Sequence, residues 1–326
     1  ARMKELHDAV GARIATMAGS EAAMVTAGAT SAMTLGTAAC IAGTNRDFIH
    51  RLPDTTGMKD EVIIQRGHRY SYEHAIRSCG ARLVVVDTAE DLEGAINANT
   101  AMMMFNFSQE GQGEIDSEEW IAIGQANGIP TFCDGATMIP PIENLYAIVS
   151  YGFDLVCFSG GKGLRGPYSA GLLLGRPDLI EAARLNGAPN DDTIGRGMKV
   201  SKEELLGAMV ALETSMTFDY ESYIRTRREW VQRIAVELEG AAGIDTEMYY
   251  PKGENHQPQL RITWDASRIQ LTPAAAKKEL REGTPSVEVH ALSLTDGNLE
   301  VTAWMLEPGE AEIVGRRIRE VLTGAS

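Results

Sequence analysis

The chain has 326 residues, 44% of them hydrophobic, and a formal net charge of −15. That length builds a large domain plus a smaller one, with a full core. The acidic balance excludes general binding to nucleic-acid phosphates, which needs clustered Lys and Arg, yet leaves room for a local pocket that takes a small anion.

The chain opens inside a helix-like segment, Met3 to Met17, as expected of a sequence lacking an N-terminal portion. A short strand, Met24-Val25-Thr26, runs into Ala27-Gly28-Ala29-Thr30-Ser31-Ala32-Met33, a turn that enters a small-residue helix. Glu61 to Ile64 reads as a strand, and Ser71 to Cys79 as a helix stopped by Gly80. Arg82 to Val86 and Thr100 to Phe105 are continuous apolar runs, the pattern of strands buried on both faces. Ser117 to Asn127 is a helix with Ser117 as N-cap and Gly128 as its stop. Strands Thr131 to Cys133, Leu155 to Phe158 and Ala170 to Leu174 follow. This alternation predicts an α/β fold with a largely parallel sheet between helices, and ligands lie outside the carboxyl ends of such strands.

Asn186 to Asp192 reads as a loop. Ser201 then caps a helix running to about Tyr220, with Glu204 completing a capping box. A second long helix, about Tyr223 to Leu238, leads to Gly240, and its charges from Arg225 to Arg233 read as a solvated face. The large domain is therefore expected over 1–240. A small α+β domain is expected over 241–326, with strands Gln259 to Trp264, Val287 to Leu292 and Leu299 to Ala303. Helices Pro273 to Arg281 and Glu310 to Leu322 pack on them.

The chemistry-bearing residues gather at strand ends. Lys162 stands in Phe158-Ser159-Gly160-Gly161-Lys162-Gly163-Leu164-Arg165-Gly166-Pro167, directly after a strand. Gly163 follows the lysine where a phosphate-binding P-loop needs Ser or Thr, so that reading fails. Asp134 ends the strand twenty-eight residues upstream. A lysine that forms a Schiff base and a carboxylate that partners a pyridine nitrogen are the two protein groups that pyridoxal phosphate chemistry requires. Either residue alone reads equally as an ordinary turn residue. Gly28, Ala29 and Thr30 open a helix whose free N–H groups suit a phosphate, although a plain helix start reads the same. His68 follows a strand and is a candidate to stack on a flat cofactor, a task open to Tyr70 as well. Arg196 and Arg261 are candidates to hold a substrate carboxylate, with solvated surface charge as the alternative. No run is apolar and long enough to cross a bilayer, and no signal peptide is visible. Cys40, Cys79, Cys133 and Cys157 form no C-x-x-C pair and read as reduced core residues of a cytoplasmic protein. The six histidines show no metal-ligand spacing, so no metal is expected.

The order of phosphate cup, ring residue, aspartate, lysine and small C-terminal domain resembles fold-type-I pyridoxal phosphate enzymes. Within them the chain is similar to the selenocysteine synthase (L-seryl-tRNA selenium transferase)-like family. Phe158 to Lys162 with Gly166-Pro167 and Ala170-Gly171 resembles the family's lysine motif, and Trp120 to Asp134 the approach to its aspartate. Gly67-His68-Arg69, Tyr72 to Arg77 and Gly195 to Val200 look closer to small-molecule members of the D-glucosaminate-6-phosphate ammonia-lyase type. The resemblance implies a mostly parallel, seven-stranded-type sheet between helices, and pyridoxal 5'-phosphate as cofactor. It makes Lys162 the Schiff-base lysine and Asp134 the pyridinium partner. It gives the cofactor phosphate to Ser159, Gly28, Ala29 and Thr30, with His68 on the ring. It implies a homodimer or larger, with a small-molecule amino acid as substrate, while the acidic charge and the lack of a long apolar run argue against nucleic acid and membrane as partners. The expected reaction is α,β-elimination from a β-hydroxy or sugar amino acid, giving a 2-keto acid and ammonia. Racemisation, aldol cleavage, transamination and selenium transfer are the alternatives, and a non-enzymatic scaffold is the reading outside catalysis.

Overall fold

The computed structural model describes residues 2–251, 257–290 and 298–324. Contacts divide the chain into two units that meet between Phe218 and Asp219.

The first unit holds helix α1 (Met3–Ala18), strand β1 (Ala22–Thr26), α2 (Gly28–Ala42), α3 (Arg46–Arg51), β2 (Glu61–Gln65), α4 (His74–Arg77), β3 (Arg82–Val86) and α5 (Ala89–Ala95). It continues with β4 (Thr100–Asn106), α6 (Ser117–Asn127), β5 (Thr131–Asp134), α7 (Glu143–Ser150), β6 (Leu155–Ser159), β7 (Gly171–Gly175), α8 (Pro177–Leu185) and α9 (Lys202–Ser215). The seven strands form one sheet in the order β1-β7-β6-β5-β4-β2-β3. The run from β6 to β3 is parallel, while β7 lies antiparallel to both β6 and β1.

Two apolar clusters fill the two faces of this sheet, and strand alternation sorts residues between them. Val156 and Phe158 of β6 join Trp120, Phe105 and the helices α1, α6, α7 and α9. Leu155 and Cys157 of the same strand join Phe132, Met102, Met104 and the helices α2 and α8. Each fully buried large side chain contributes about 1.5–3 kcal/mol against leaving it in water. Helix α2 is buried on nearly every side, from Ser31 to Ala42, which explains its small-residue composition. A Cβ at Gly36 would run into the ring of Phe132, so this glycine is what lets α2 sit on β5.

The second unit comprises α10 (Tyr220–Leu238), β8 (Ile244–Tyr249), β9 (Gln259–Trp264), α11 (Pro273–Glu282), β10 (Asn298–Thr302) and α12 (Glu310–Thr323). Its antiparallel sheet runs β10-β9-β8. Trp230, Val231, Ile234 and Leu238 of α10 share a core with Leu260, Ile262, Leu299 and Ile318.

Several elements differ from the sequence expectation. The expected boundary lay at 240/241, but the apolar face of α10 packs inside the second unit, which begins at Asp219. The helix that Ser201 caps ends at Ser215, and Asp219 caps the next one. Ser117 is buried inside α6; the cap is Asp116, which accepts from the Glu119 N–H at 2.9 Å. The expected helix from Ser71 to Cys79 is a 3₁₀ turn, Ser71–Glu73, followed by the short α4. The described part of the expected strand Val287 to Leu292 gives only a bridge between His290 and Glu300, and Ala291 and Leu292 lie outside the described residues. The third strand of the small sheet is instead β8. Its exposed polar residues Asp245, Thr246 and Glu247 hid it from a reading based on apolar runs.

Candidate active site

A cavity of about 480 Å³ opens at the carboxyl ends of β1, β4, β5 and β6. Its wall includes Gly28, Ala29 and Thr30, together with Asp134, Ser159 and Lys162. Residues spread over more than 130 positions of sequence thus meet in one place, within the first unit.

The phosphate-cup candidate is the start of α2. Its N-cap is Ala27, which offers no capping side chain, so the first N–H groups face the cavity without a side-chain acceptor. Thr26 braces the turn by donating its hydroxyl to the Gly28 carbonyl at 2.9 Å. Gly28 has φ +84, a conformation that disfavours any side chain. A Cβ at Gly171 on β7 would strike the Gly28–Ala29 backbone, so β7 approaches closely there. An anion at this turn would gain from both the free donors and the positive helix end.

The lysine turn is shaped by packing. A Cβ at Gly161 would strike the Tyr168 backbone, and one at Gly163 would strike the Ile139 carbonyl. The backbone turns sharply because Arg165 sits at φ +54, a costly conformation for a side-chain-bearing residue. Ser169, on the rim, donates its hydroxyl to the Glu204 carboxylate, which also accepts from the Ser201 N–H at 2.7 Å. The N-terminus of α9 therefore fixes the far side of the turn, and Lys162 stands exposed on the cavity wall.

Asp134 is 6% exposed at the end of β5. Its Oδ2 accepts from the Tyr70 hydroxyl at 2.6 Å. Its Oδ1 accepts from the Ala136 N–H at 3.0 Å and from the Cys157 thiol at 3.5 Å. Burial, then the Asp134 charge, pushes the Tyr70 hydroxyl far above its ordinary pKa, so it remains a donor.

His68 does not reach the cavity wall. It is fully buried, edge-on to Phe105 with centroids 4.4 Å apart, and its Nδ1 accepts from the Asn106 N–H at 3.3 Å. Burial lowers its pKa to about 4, so it is a neutral core residue supporting the end of β4. Tyr70, two residues on, lines the cavity instead. The strand end carries both rings, and His68 is the buried one of its 3₁₀ turn, Arg66–His68. Arg196 is likewise outside the wall, on its loop beside Asp191 at 3.3 Å. Arg261, in the second unit, is engaged with Glu247 at 3.0 Å and Glu300 at 3.5 Å, over the ring of Tyr249. Asn106, Ser108 and Gln109 were not singled out from sequence, yet they line the wall. The polar turn that follows the apolar run of β4 was their signal.

The residues present fit the cofactor that the sequence resemblance implies. A seat for an anion, a buried carboxylate with neutral donors and an exposed lysine share one cavity. The family model described as L-seryl-tRNA selenium transferase matches residues 8–228. The chain belongs to this family. A 5'-C-glycyluridine monooxygenase-decarboxylase from a Streptomyces species is 31% identical, over 98% of this chain and 81% of that protein. A D-glucosaminate-6-phosphate ammonia lyase from Salmonella typhimurium is 26% identical, over 98% of this chain and 86% of that protein. A solved structure of D-glucosaminate-6-phosphate ammonia-lyase matches 100% of this chain and 88% of its own, with a TM-score of 0.83 and 25% identity. The fold is the fold-type-I arrangement expected from sequence, a mostly parallel seven-stranded sheet among helices, with a small three-stranded sheet in the second unit. Among the described residues, no group of His, Cys, Asp and Glu is placed to hold a metal, and no helix is long and apolar enough to cross a membrane.

Proposed function

We propose that this chain is a pyridoxal 5'-phosphate-dependent lyase that converts a β-hydroxy or sugar amino acid to a 2-keto acid with net release of ammonia. The convergence of Lys162, Asp134 and the start of α2 on one cavity carries the reading. Similarity to the ammonia lyases along nearly the whole chain favours elimination. When bound, the cofactor supplies an aldehyde for an amine and an electron-poor ring that accepts the electron pair released at the α-carbon.

The protein's own residues do the rest. The N–H groups of Gly28, Ala29 and Thr30, with the Ser159 hydroxyl, would bind the phosphate. Asp134 would hold a proton on the ring nitrogen, help that grows as negative charge develops in the transition state. Tyr70 takes the ring-facing place first expected of His68. Lys162 would hold the cofactor through its aldehyde until substrate binds. The freed amine then removes the α-proton and returns a proton to the β-hydroxyl, which leaves as water. Uptake of one water afterwards releases ammonia, so no net water is consumed.

Proton NMR in heavy water, with a panel of D- and L-β-hydroxy and sugar amino acids, tests this reading. A 2-keto acid with free ammonia is expected, and Lys162→Ala should abolish it while leaving the fold intact. Full activity in that variant would sink the assignment. A second reading, oxidative decarboxylation, is favoured by the higher identity to the Streptomyces relative, 31% against 26%. Oxygen uptake with carbon dioxide release, and no ammonia, would select it. The net charge of −15 supports a small-molecule substrate over a charged tRNA. Exposed Leu206 and Val210 on α9 support a homodimer, which light scattering tests. The four free cysteines are in keeping with the cytoplasm.

A further inference from the structure

Asp134 is held in an unusual way for a buried acid. Its Oδ2 has a single short bond, from the Tyr70 hydroxyl at 2.6 Å. The other oxygen is already engaged by the Ala136 N–H and the Cys157 thiol. A carboxylate oxygen has two acceptor sites, so Oδ2 keeps one for a further donor. The cavity wall contains both Tyr70 and Asp134, so that site is available to a group bound there. The tyrosine is itself braced, with its hydroxyl 3.1 Å from the Met33 sulfur on α2. A hydroxyl has one proton, and the carboxylate is the stronger acceptor, so the proton lies toward Asp134.

We propose that Tyr70 is a positioning residue for the cofactor ring and acts through Asp134. Its hydroxyl fixes the carboxylate in one orientation, leaving the remaining Oδ2 acceptor site for the ring N–H. Without that bond the carboxylate can rotate, and its charge is less delocalised into donors. The ring is then held more loosely and its electronic environment changes. The proposal rests on the reading of Asp134 as the partner of the ring nitrogen.

The experiment is a double-mutant cycle on the full chain, loaded with pyridoxal phosphate. Tyr70→Phe keeps the ring and removes only the hydroxyl. The readouts are the rate of cofactor loss, the visible absorption band of the bound cofactor and the thermal midpoint of the cofactor-free protein. Loss of one hydrogen bond to a charged acceptor corresponds to about a tenfold faster release. The band should shift in Tyr70→Phe, and the thermal midpoint of the cofactor-free protein should move little. In an Asp134→Asn background the same substitution should add nothing, because the two groups act as one unit. An unchanged release rate and band in Tyr70→Phe would overturn the proposal. So would an effect of equal size in both backgrounds, which would assign Tyr70 to ring packing alone. A lowered thermal midpoint without a spectral change would make its role structural and overturn the proposal too. If Asp134→Asn itself binds cofactor with the parent rate and spectrum, it is the reading of Asp134 that fails.

Discussion

Asp134 and Asp154 lie at opposite ends of neighbouring strands and show how differently one residue type is used. Asp154, just before β6, accepts from the Thr131 N–H at 2.7 Å and from the Thr131 hydroxyl at 3.0 Å. It also pairs with Arg176 at 2.8 Å. That carboxylate is satisfied by the protein's own donors, and the cation that compensates it is present. Asp134 is more buried, yet its partners are the neutral groups of Tyr70, Ala136 and Cys157. A buried negative charge with only neutral donors is costly to maintain. Such a charge is retained where a positive partner arrives with a ligand. The difference between a clamp and a site therefore lies in the missing cation, not in burial.

The comparison can be broken or sharpened by substitution. Asp134→Asn should lower turnover at least a hundredfold, about 2.7 kcal/mol or more in the transition state. Its thermal stability should be maintained, because relief of a buried charge offsets the lost bonds. Steady-state rates beside thermal melts check both. Asp154→Asn should do the reverse, costing about 2 kcal/mol of stability by weakening the charged acceptor of the Thr131 N–H and hydroxyl, while Arg176 keeps its pair with Asp178. Urea unfolding would show that loss, with cofactor affinity unchanged; an activity defect would erase the distinction.

His68 extends the contrast, since it is buried beside the site without belonging to it. Its folded pKa of about 4 lies below the ordinary 6.5. A lowered histidine pKa stabilises the fold fully above pH 6.5, and that contribution is lost as pH falls toward 4. Unfolding free energy should therefore drop by about 3 kcal/mol across that window. His68→Gln keeps an acceptor for Asn106 and should remove this pH-dependent component. An unchanged slope in the variant would show that His68 is not its source. The smallest effect expected is for Arg176→Met, about 1 kcal/mol, because the guanidinium is 44% exposed and solvent screens its pair. Its measurement in urea brackets the Asp154 result from the other side.

Much of the site was legible in the sequence because its residues follow strands. Lys162 comes directly after an apolar run and Asp134 ends another, and parallel sheets place ligands at those ends. The glycines of the lysine turn could be read as a turn, but not why they are needed. The reason is contact with Tyr168 and Ile139, and those neighbours are set by folding. The choice between His68 and Tyr70 was not legible either. Both follow β2, and only the tight turn there decides which ring faces the cavity. The places of Arg196 and Arg261 were not legible for a related reason. A charged side chain carries no mark of its partner, and each finds a nearby carboxylate.

By itself, then, the sequence determined the alternation of strands and helices, the sheet's burial on two faces and the strand ends that bear chemistry. These follow from local periodicity and from the few residues that permit sharp turns. Tertiary structure alone decided the antiparallel placement of β7, the membership of α10 in the second unit and the donors that surround Asp134. Those depend on side chains far apart in sequence meeting in space. A hydrogen bond such as that from Tyr70 to Asp134 spans 64 residues and leaves no periodic trace along the chain.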